Sequence, residues 1–455
     1  MRQFKQPSSG ATSLQRIKQQ PCINPGSILR NPPTQQHETC ASLRNWAGRG
    51  FWAVIDQALF AGANFLVSIL LARWLEPAAY GAFSLAYAIF LLLGTVHTGL
   101  WTEPMLVYGS GRFREDFAAY QQVLLRYHWR FGGVACLFFL VLHLGFRAFG
   151  AREIALSFLG LSLAAPTVLY LWLVRRGAYV LLKPRLAALG GALYLLLYLG
   201  QTFFFFRTNT LNTFTALMAM AVAGLVSAEI ILWRMDTETE RIVDSEEVHN
   251  LHWHYGRWAL LAGIFSWVPG NIFYLILPAF HGFEAAAHFK ALMNLLMPIL
   301  HVNGALGQLL VPGMVRALDQ GKFLPFALAN LAVLSTLATL YWLLLIAIGP
   351  QFMEWIYGGK YTHNADSLLW LGLLPVLAGA VSVMNSMLRA LEKSDAIARA
   401  YALMAGFSCI VGLFLISNTK IQDVFLLYFF TYIFGIIIFY SYTNKLYNIY
   451  HKIMR

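Results

Sequence analysis

The chain has 455 residues, of which 58% are hydrophobic and only 12% charged, and its formal net charge is +12. Soluble domains carry about twice that charged fraction, so this sequence lacks the polar coat that a water-soluble fold of its size needs. Its basic residues fall in short gaps between apolar runs, not in a stripe interleaved with aromatics. That pattern argues against nucleic-acid binding and reads instead as membrane topology and contact with lipid headgroups.

Residues 1–50 are rich in Gln, Ser, Pro and Arg and lack hydrophobic periodicity. They are expected to form a disordered cytoplasmic N-terminus, with no secretory signal before Phe51. From there, apolar runs of about 20 residues alternate with short polar breaks, each run long enough to cross the hydrocarbon core. The expected spans are 51–72, 82–105, 128–149, 153–174, 186–206 and 213–233, then 258–280, 290–313, 324–349, 366–388, 400–417 and 422–442. The fold class is therefore an all-α polytopic membrane protein of twelve helices.

With a cytoplasmic N-terminus, 25 of the 33 Lys/Arg fall in cytoplasmic segments and seven outside, and Arg130 lies within a span. This asymmetry fits the positive-inside rule and places both termini in the cytoplasm of an inner (cytoplasmic) membrane. Residues 235–257 hold six carboxylates and read as a cytoplasmic linker between a six-helix lobe over 51–234 and a second over 258–445. A cytoplasmic tail, 446–455, follows. His249, His252 and His254 in the linker read as exposed histidines without liganding geometry. The four cysteines are scattered, so neither a disulfide framework nor a metal site is expected. A shift of 208 positions lays Glu76 on Glu284, Gly99 on Gly307 and Pro104 on Pro312. Such a repeat of six helices starts each half on the same membrane side, as some transporters do.

No P-loop, GxSxG, HExxH or CxxC is present, and the outside loops are short, so no catalytic residue is expected. The signal that remains is polar residues within the spans. Lys290, Asn294, His301 and Gln308 lie within about 40° of one line at 100° per residue. In the second span, Thr95 and Thr98 belong to a hydroxyl stripe that includes Ser84, Tyr87 and Thr102. In the first, Asp56, Asn64 and Ser68 recur at multiples of four. Together these predict a wet cavity contacted by Lys290, Asn294, His301, Gln308, Asp56, Asn64, Thr95 and Thr98. The competing reading is that such groups only bond between helices, that Lys290 snorkels to the outer interface and that Asp56 is solvated at the cytoplasmic end. Glu103, before Pro104, is a further contact to weigh. Histidine titrates near neutral pH in water, which makes His301 the expected reporter of proton coupling. Pro166, Pro269-Gly270 and Pro298 are expected to break their helices.

Two stretches carry a family resemblance. Residues 70–100 hold Arg73, Leu75, Pro77, Tyr80 and Gly81 in an Arg-x-Leu-x-Pro-x-x-Tyr-Gly turn between apolar helices. Residues 352–395 run from Ile-Tyr-Gly to a helix ending Leu-Arg-Ala-Leu-x-Lys. This pattern resembles the polysaccharide transporter (O-antigen flippase) branch of the multidrug/oligosaccharidyl-lipid/polysaccharide exporter superfamily. The resemblance implies two six-helix lobes around a central cavity and flipping of a polyprenyl-pyrophosphate-linked glycan by alternating access. It also implies membrane lipids and glycan polymerase or export machinery as partners, no cofactor, and H+ or Na+ as coupling ion. The alternatives are a cation-coupled multidrug exporter of the same superfamily and, from another class, a membrane glycosyltransferase or polymerase.

Overall fold

The computed structural model describes residues 33–235, 239, 241–391, 393–416 and 421–454. Its elements are helices throughout, as the apolar runs require: in lipid, a helix satisfies its backbone internally. They are α1 (Pro33–Trp74), α2 (Pro77–His97), α3 (Glu103–Ser110), α4 (Phe117–Ala148), α5 (Arg152–Val180), α6 (Pro184–Arg207) and α7 (Thr213–Met235). Then come α8 (Ser245–Asp319), α9 (Phe323–Tyr357), the short α10 (Leu368–Leu371), α11 (Leu374–Ala390), α12 (Ser394–Ile416) and α13 (Ile421–Met454).

Eleven helices among the described residues are long and apolar enough to cross a membrane. One of them folds back on itself. At Gly282, with φ of 79°, α8 leaves helical geometry for one residue, a conformation that glycine adopts without a Cβ penalty. Tyr274 and Phe289, on opposite sides of Gly282, pack with ring centroids 4.9 Å apart. The two limbs therefore form a hairpin, and the crossings number twelve. The chain is a multi-pass membrane protein. Apolar side chains such as Val134, Leu137 and Val141 on α4, and Leu340 and Leu344 on α9, form its outward faces.

Several boundaries differ from the expected ones. Residues 33–50 belong to α1; no Gly or Pro interrupts 34–47, so nothing there stops a helix. The acidic linker is helical from Ser245. Asp244 caps that helix by accepting the Glu246 backbone N–H at 2.9 Å, and Glu246 and Glu247 occupy its first turn. The expected proline breaks are absent: α5 runs through Pro166, and α8 through Pro269 and Pro298 with helical backbone. A π-helix over Thr98–Thr102 lies between α2 and α3, just before Pro104.

The face where α1 ends and α2 begins is the distal face, and the face carrying residues 241–244 the linker face. One large hydrophobic cluster joins α1–α7 to both limbs of α8 as far as Leu296, and to the distal ends of α9 and α11. Two smaller clusters, one around Met314, Leu334 and Met387 and one around Leu388, Ala400 and Phe439, hold the linker-side ends of the C-terminal helices. Neither small cluster contains a residue of α1–α7. The N- and C-terminal helices therefore share a core distally and separate toward the linker face.

Candidate functional site

Asp56 is fully buried, contrary to its expected solvation. Arg175 of α5 donates to its carboxylate twice, Nε to Oδ1 at 3.1 Å and Nη2 to Oδ2 at 2.7 Å, and Tyr179 donates to Oδ2 at 2.7 Å. The guanidinium also lies 4.2 Å over the Phe60 ring. Arg175 is thus the counter-ion that makes Asp56 tolerable inside the bundle. Asn64 joins α1 to α6: its amide donates to the Phe60 carbonyl at 3.0 Å and its oxygen accepts from Tyr194 at 3.1 Å. Both predicted contacts are occupied within the N-terminal helices.

On the distal face the N- and C-terminal halves are locked together. Ser68, Tyr80 and Asn294 form a closed triangle across α1, α2 and the second limb of α8, with contacts of 2.9, 3.2 and 2.9 Å. Arg73 donates to the Trp355 carbonyl at 3.0 Å, Lys360 to the Leu75 carbonyl at 2.8 Å, and Tyr357 to the Ala291 carbonyl at 2.9 Å. Gly81 sits so close to Phe283 that an added Cβ would lie 1.7 Å from its carbonyl oxygen. Tyr80 and its repeat-related position His288 flank the Tyr361 ring at 6.4 and 5.0 Å. Every acceptor of these donors is neutral. Lys290 is buried here as well, so it does not snorkel to the surface.

The linker face joins a narrower set of elements. Pro104 has no N–H to offer the Leu100 carbonyl. His252, in the first limb of α8, fills that gap: its Nδ1–H donates to Leu100 O at 2.9 Å, while Tyr120 of α4 donates to its Nε2 at 2.6 Å. The carbonyl can only accept, which fixes the tautomer. His252 is thus a buried structural bridge. Gly99 and Gly256 allow α8 to approach the π-helix at backbone contact. Charged pairs, Arg112 with Glu247 and Arg241 with Asp116, fasten the linker residues to the α3–α4 turn. No cluster of three or more His, Cys, Asp or Glu suited to a metal occurs among the described residues.

Between these two regions α2, α5 and the first limb of α8 border an open cavity of about 310 Å³. Thr95, Thr98, Glu103, Trp172 and Trp267 line it. Trp172 and Trp267 have buried indole N–H groups without a hydrogen-bond partner among the described residues. Thr95 spends its hydroxyl proton on the Leu91 carbonyl at 3.0 Å, which leaves its oxygen free to accept. The cavity therefore offers two indole side chains among its walls, the Thr95 oxygen as an acceptor and one exposed carboxylate, while the two indole N–H groups are buried beside it.

No protein-family model and no curated protein matches the sequence. Solved structures do. The inward-facing form of a multidrug resistance MATE family transporter of the MOP superfamily superposes with a TM-score of 0.71 at 14% identity, over 87% of this chain and 99% of that one. The outward-facing form of such a transporter gives 0.61 at 14% identity, over 88% and 95%. The chain thus has the MATE fold. A MOP superfamily transporter from Pyrococcus furiosus, described as having a binding pocket of reverse polarity that suggests a different function, gives 0.59 at 14%, over 87% and 94%.

In this MATE-like bundle the predicted contacts divide among three places. Thr95 and Thr98 line the cavity; Lys290 and Asn294 sit in the distal interface; Asp56 and Asn64 serve the N-terminal core. His301 is exposed, its Nδ1–H turned back to the Met297 carbonyl at 2.7 Å. The side chain of Gln308 lies outside the described residues. Trp172 and Trp267 escaped the sequence reading because a tryptophan in an apolar run looks like core packing. Only the partner count around each indole N–H separates them from it.

Proposed function

We propose that the chain is an alternating-access membrane exporter, in a state closed at the distal face, whose cargo is an amphipathic organic molecule driven against a cation gradient. The observation that carries this reading is a fold shared with both inward- and outward-facing MATE transporters. The higher TM-score with the inward-facing form, 0.71 against 0.61, agrees with a sealed distal face and a cleft toward the linker face. In this reading the linker face and both termini are cytoplasmic.

The cavity supports the multidrug alternative better than a lipid-linked glycan. Two indole walls and Glu103 suit an aromatic, cationic or neutral guest. A pyrophosphate needs cations, and none lines the cavity. Arg130 faces outward on α4, and Lys290 lies in the distal interface. The motif residues that resemble the flippases, Arg73, Tyr80 and Gly81, are all engaged in the distal seal, so they speak to gating and not to cargo.

The test is efflux of a fluorescent aromatic cation from cells and from proteoliposomes, beside leaflet-resolved analysis of undecaprenyl-linked glycans after deletion. Efflux that rises with the protein supports the proposal. Accumulation of glycan in the inner leaflet with no efflux sinks it. Trp267→Phe should leave thermal stability unchanged or raised, because it removes an unsatisfied donor worth about 1–3 kcal/mol. It should also weaken the apparent affinity of efflux about five-fold or more for guests bearing an acceptor.

A further inference from the structure

Lys290 lies eight residues beyond Gly282, about 12 Å down the second limb of α8 at 1.5 Å per residue. It is 8% exposed. Its Nζ stands 5.4 Å from the Tyr87 ring centroid of α2 and 5.5 Å from that of Tyr274 in the first limb of α8. Among the described residues it makes no hydrogen bond and no ion pair. Tyrosines recur on the elements around it, beside Ser68 of α1, which bonds the nearby Asn294. Tyr80 and Tyr87 come from α2 and Tyr274 from the first limb. Tyr357 comes from α9, with its hydroxyl on the adjacent Ala291 carbonyl. Tyr428 comes from α13, with its ring 5.4 Å from that of neighbouring Phe289. On its own helix stand His288 and Asn294. No carboxylate belongs to this set; Glu76 and Glu284 are exposed at the rim, in electrostatic range of Tyr361.

Asp56 shows what this protein does with a charge it keeps inside: two hydrogen bonds from a guanidinium and one from a phenol. Lys290 receives nothing comparable. Two ring faces repay only part of the cost of taking an ammonium out of water. The elements that surround it are also the ones that must part when the distal seal opens. Opening would bring water to Nζ; closing strips it away.

We propose that Lys290 is the binding site of the coupling proton, unprotonated while the distal seal is closed and protonated when the seal opens. The neutral amine takes H+ from distal water to become the ammonium, and as the seal closes the ammonium gives that proton to water on the linker side, so that one proton crosses per cycle. This inference rests on the alternating-access reading above. Because the open state holds the extra proton, falling pH favours opening and rising pH favours closure.

The experiment places spin labels at Thr208→Cys and Asp366→Cys, on distal turns of the two halves, with the native cysteines replaced and the protein in lipid nanodiscs. Pulsed EPR then reads the distance from pH 5 to pH 10. In the wild-type background the ratio of long to short distances should fall with rising pH by up to about ten-fold per unit. Lys290→Met should stay short at every pH. Lys290→Arg, which keeps its charge throughout, should stay long at every pH, and it decides the matter if the Met variant does not fold. Wild-type pH dependence persisting in either variant overturns the proposal. So does a pH-independent wild type whose seal opens when Gly81→Val is introduced. If neither wild type nor Gly81→Val ever gives the long distance, alternating access itself fails, and the proton site with it.

Discussion

The distal and linker faces are both tightly packed, yet they are built from different contacts. On the distal face, α1 and α2 meet the second limb of α8 and the end of α9, through Arg73 and Lys360 donating to neutral carbonyls and through the Ser68–Tyr80–Asn294 triangle. On the linker face, α2–α4 meet only the first limb of α8, through a fully satisfied histidine and charged pairs. Distal contacts cross between halves that can separate and find water as a substitute. The linker-face histidine fills a backbone vacancy that proline creates, and that vacancy persists in any conformation. The first set behaves as a latch and the second as a joint.

Three substitutions would break or sharpen this contrast. Gly81→Val should have the largest effect, since its Cβ would fall 1.7 Å from the Phe283 oxygen. The latch should open, lengthening distal label distances by a population shift of about 100-fold, about 3 kcal/mol, while the melting temperature changes little. A collapse in melting temperature with distances unchanged would mean the latch is core. His252→Ala should do the reverse. It strands the Leu100 carbonyl and the Tyr120 hydroxyl, costing about 2 kcal/mol, read as a lower melting temperature with distal distances intact. Arg73→Ala should be mildest. The side chain is exposed, and losing its carbonyl bond should shift the latch by only about 0.5–1 kcal/mol, a few-fold change in the same distance measurement.

The sequence made the fold legible because lipid imposes one rule on every span. Twelve crossings emerge from run length, and the break at Gly282 falls in the gap between the expected spans 258–280 and 290–313. The site was less legible. A periodic stripe reports which residues share a line on a helix, but not what stands opposite. Lys290 and Asn294 share that line and meet tyrosines and Ser68, whereas His301, further along, is exposed. Asp56 looked solvated because its partner, Arg175, is 119 positions away. His252 looked exposed because its acidic neighbours suggested a loop; the signal that marks it is Pro104, which leaves Leu100 short of a donor on another helix.

The hairpin at Gly282 has a consequence for how this molecule can be divided. The expected division of the sequence falls at the acidic linker, where α8 begins. The contacts on the linker face break later, because residues 245–263 are held to α2–α4 while the two small C-terminal clusters contain no residue before Leu306. The division expected from sequence and the one drawn by these contacts thus lie one helix apart. A chimera joining this N-terminal half to a relative's C-terminal half would keep its native joint if cut after Gly282, and would have to rebuild it if cut in the linker.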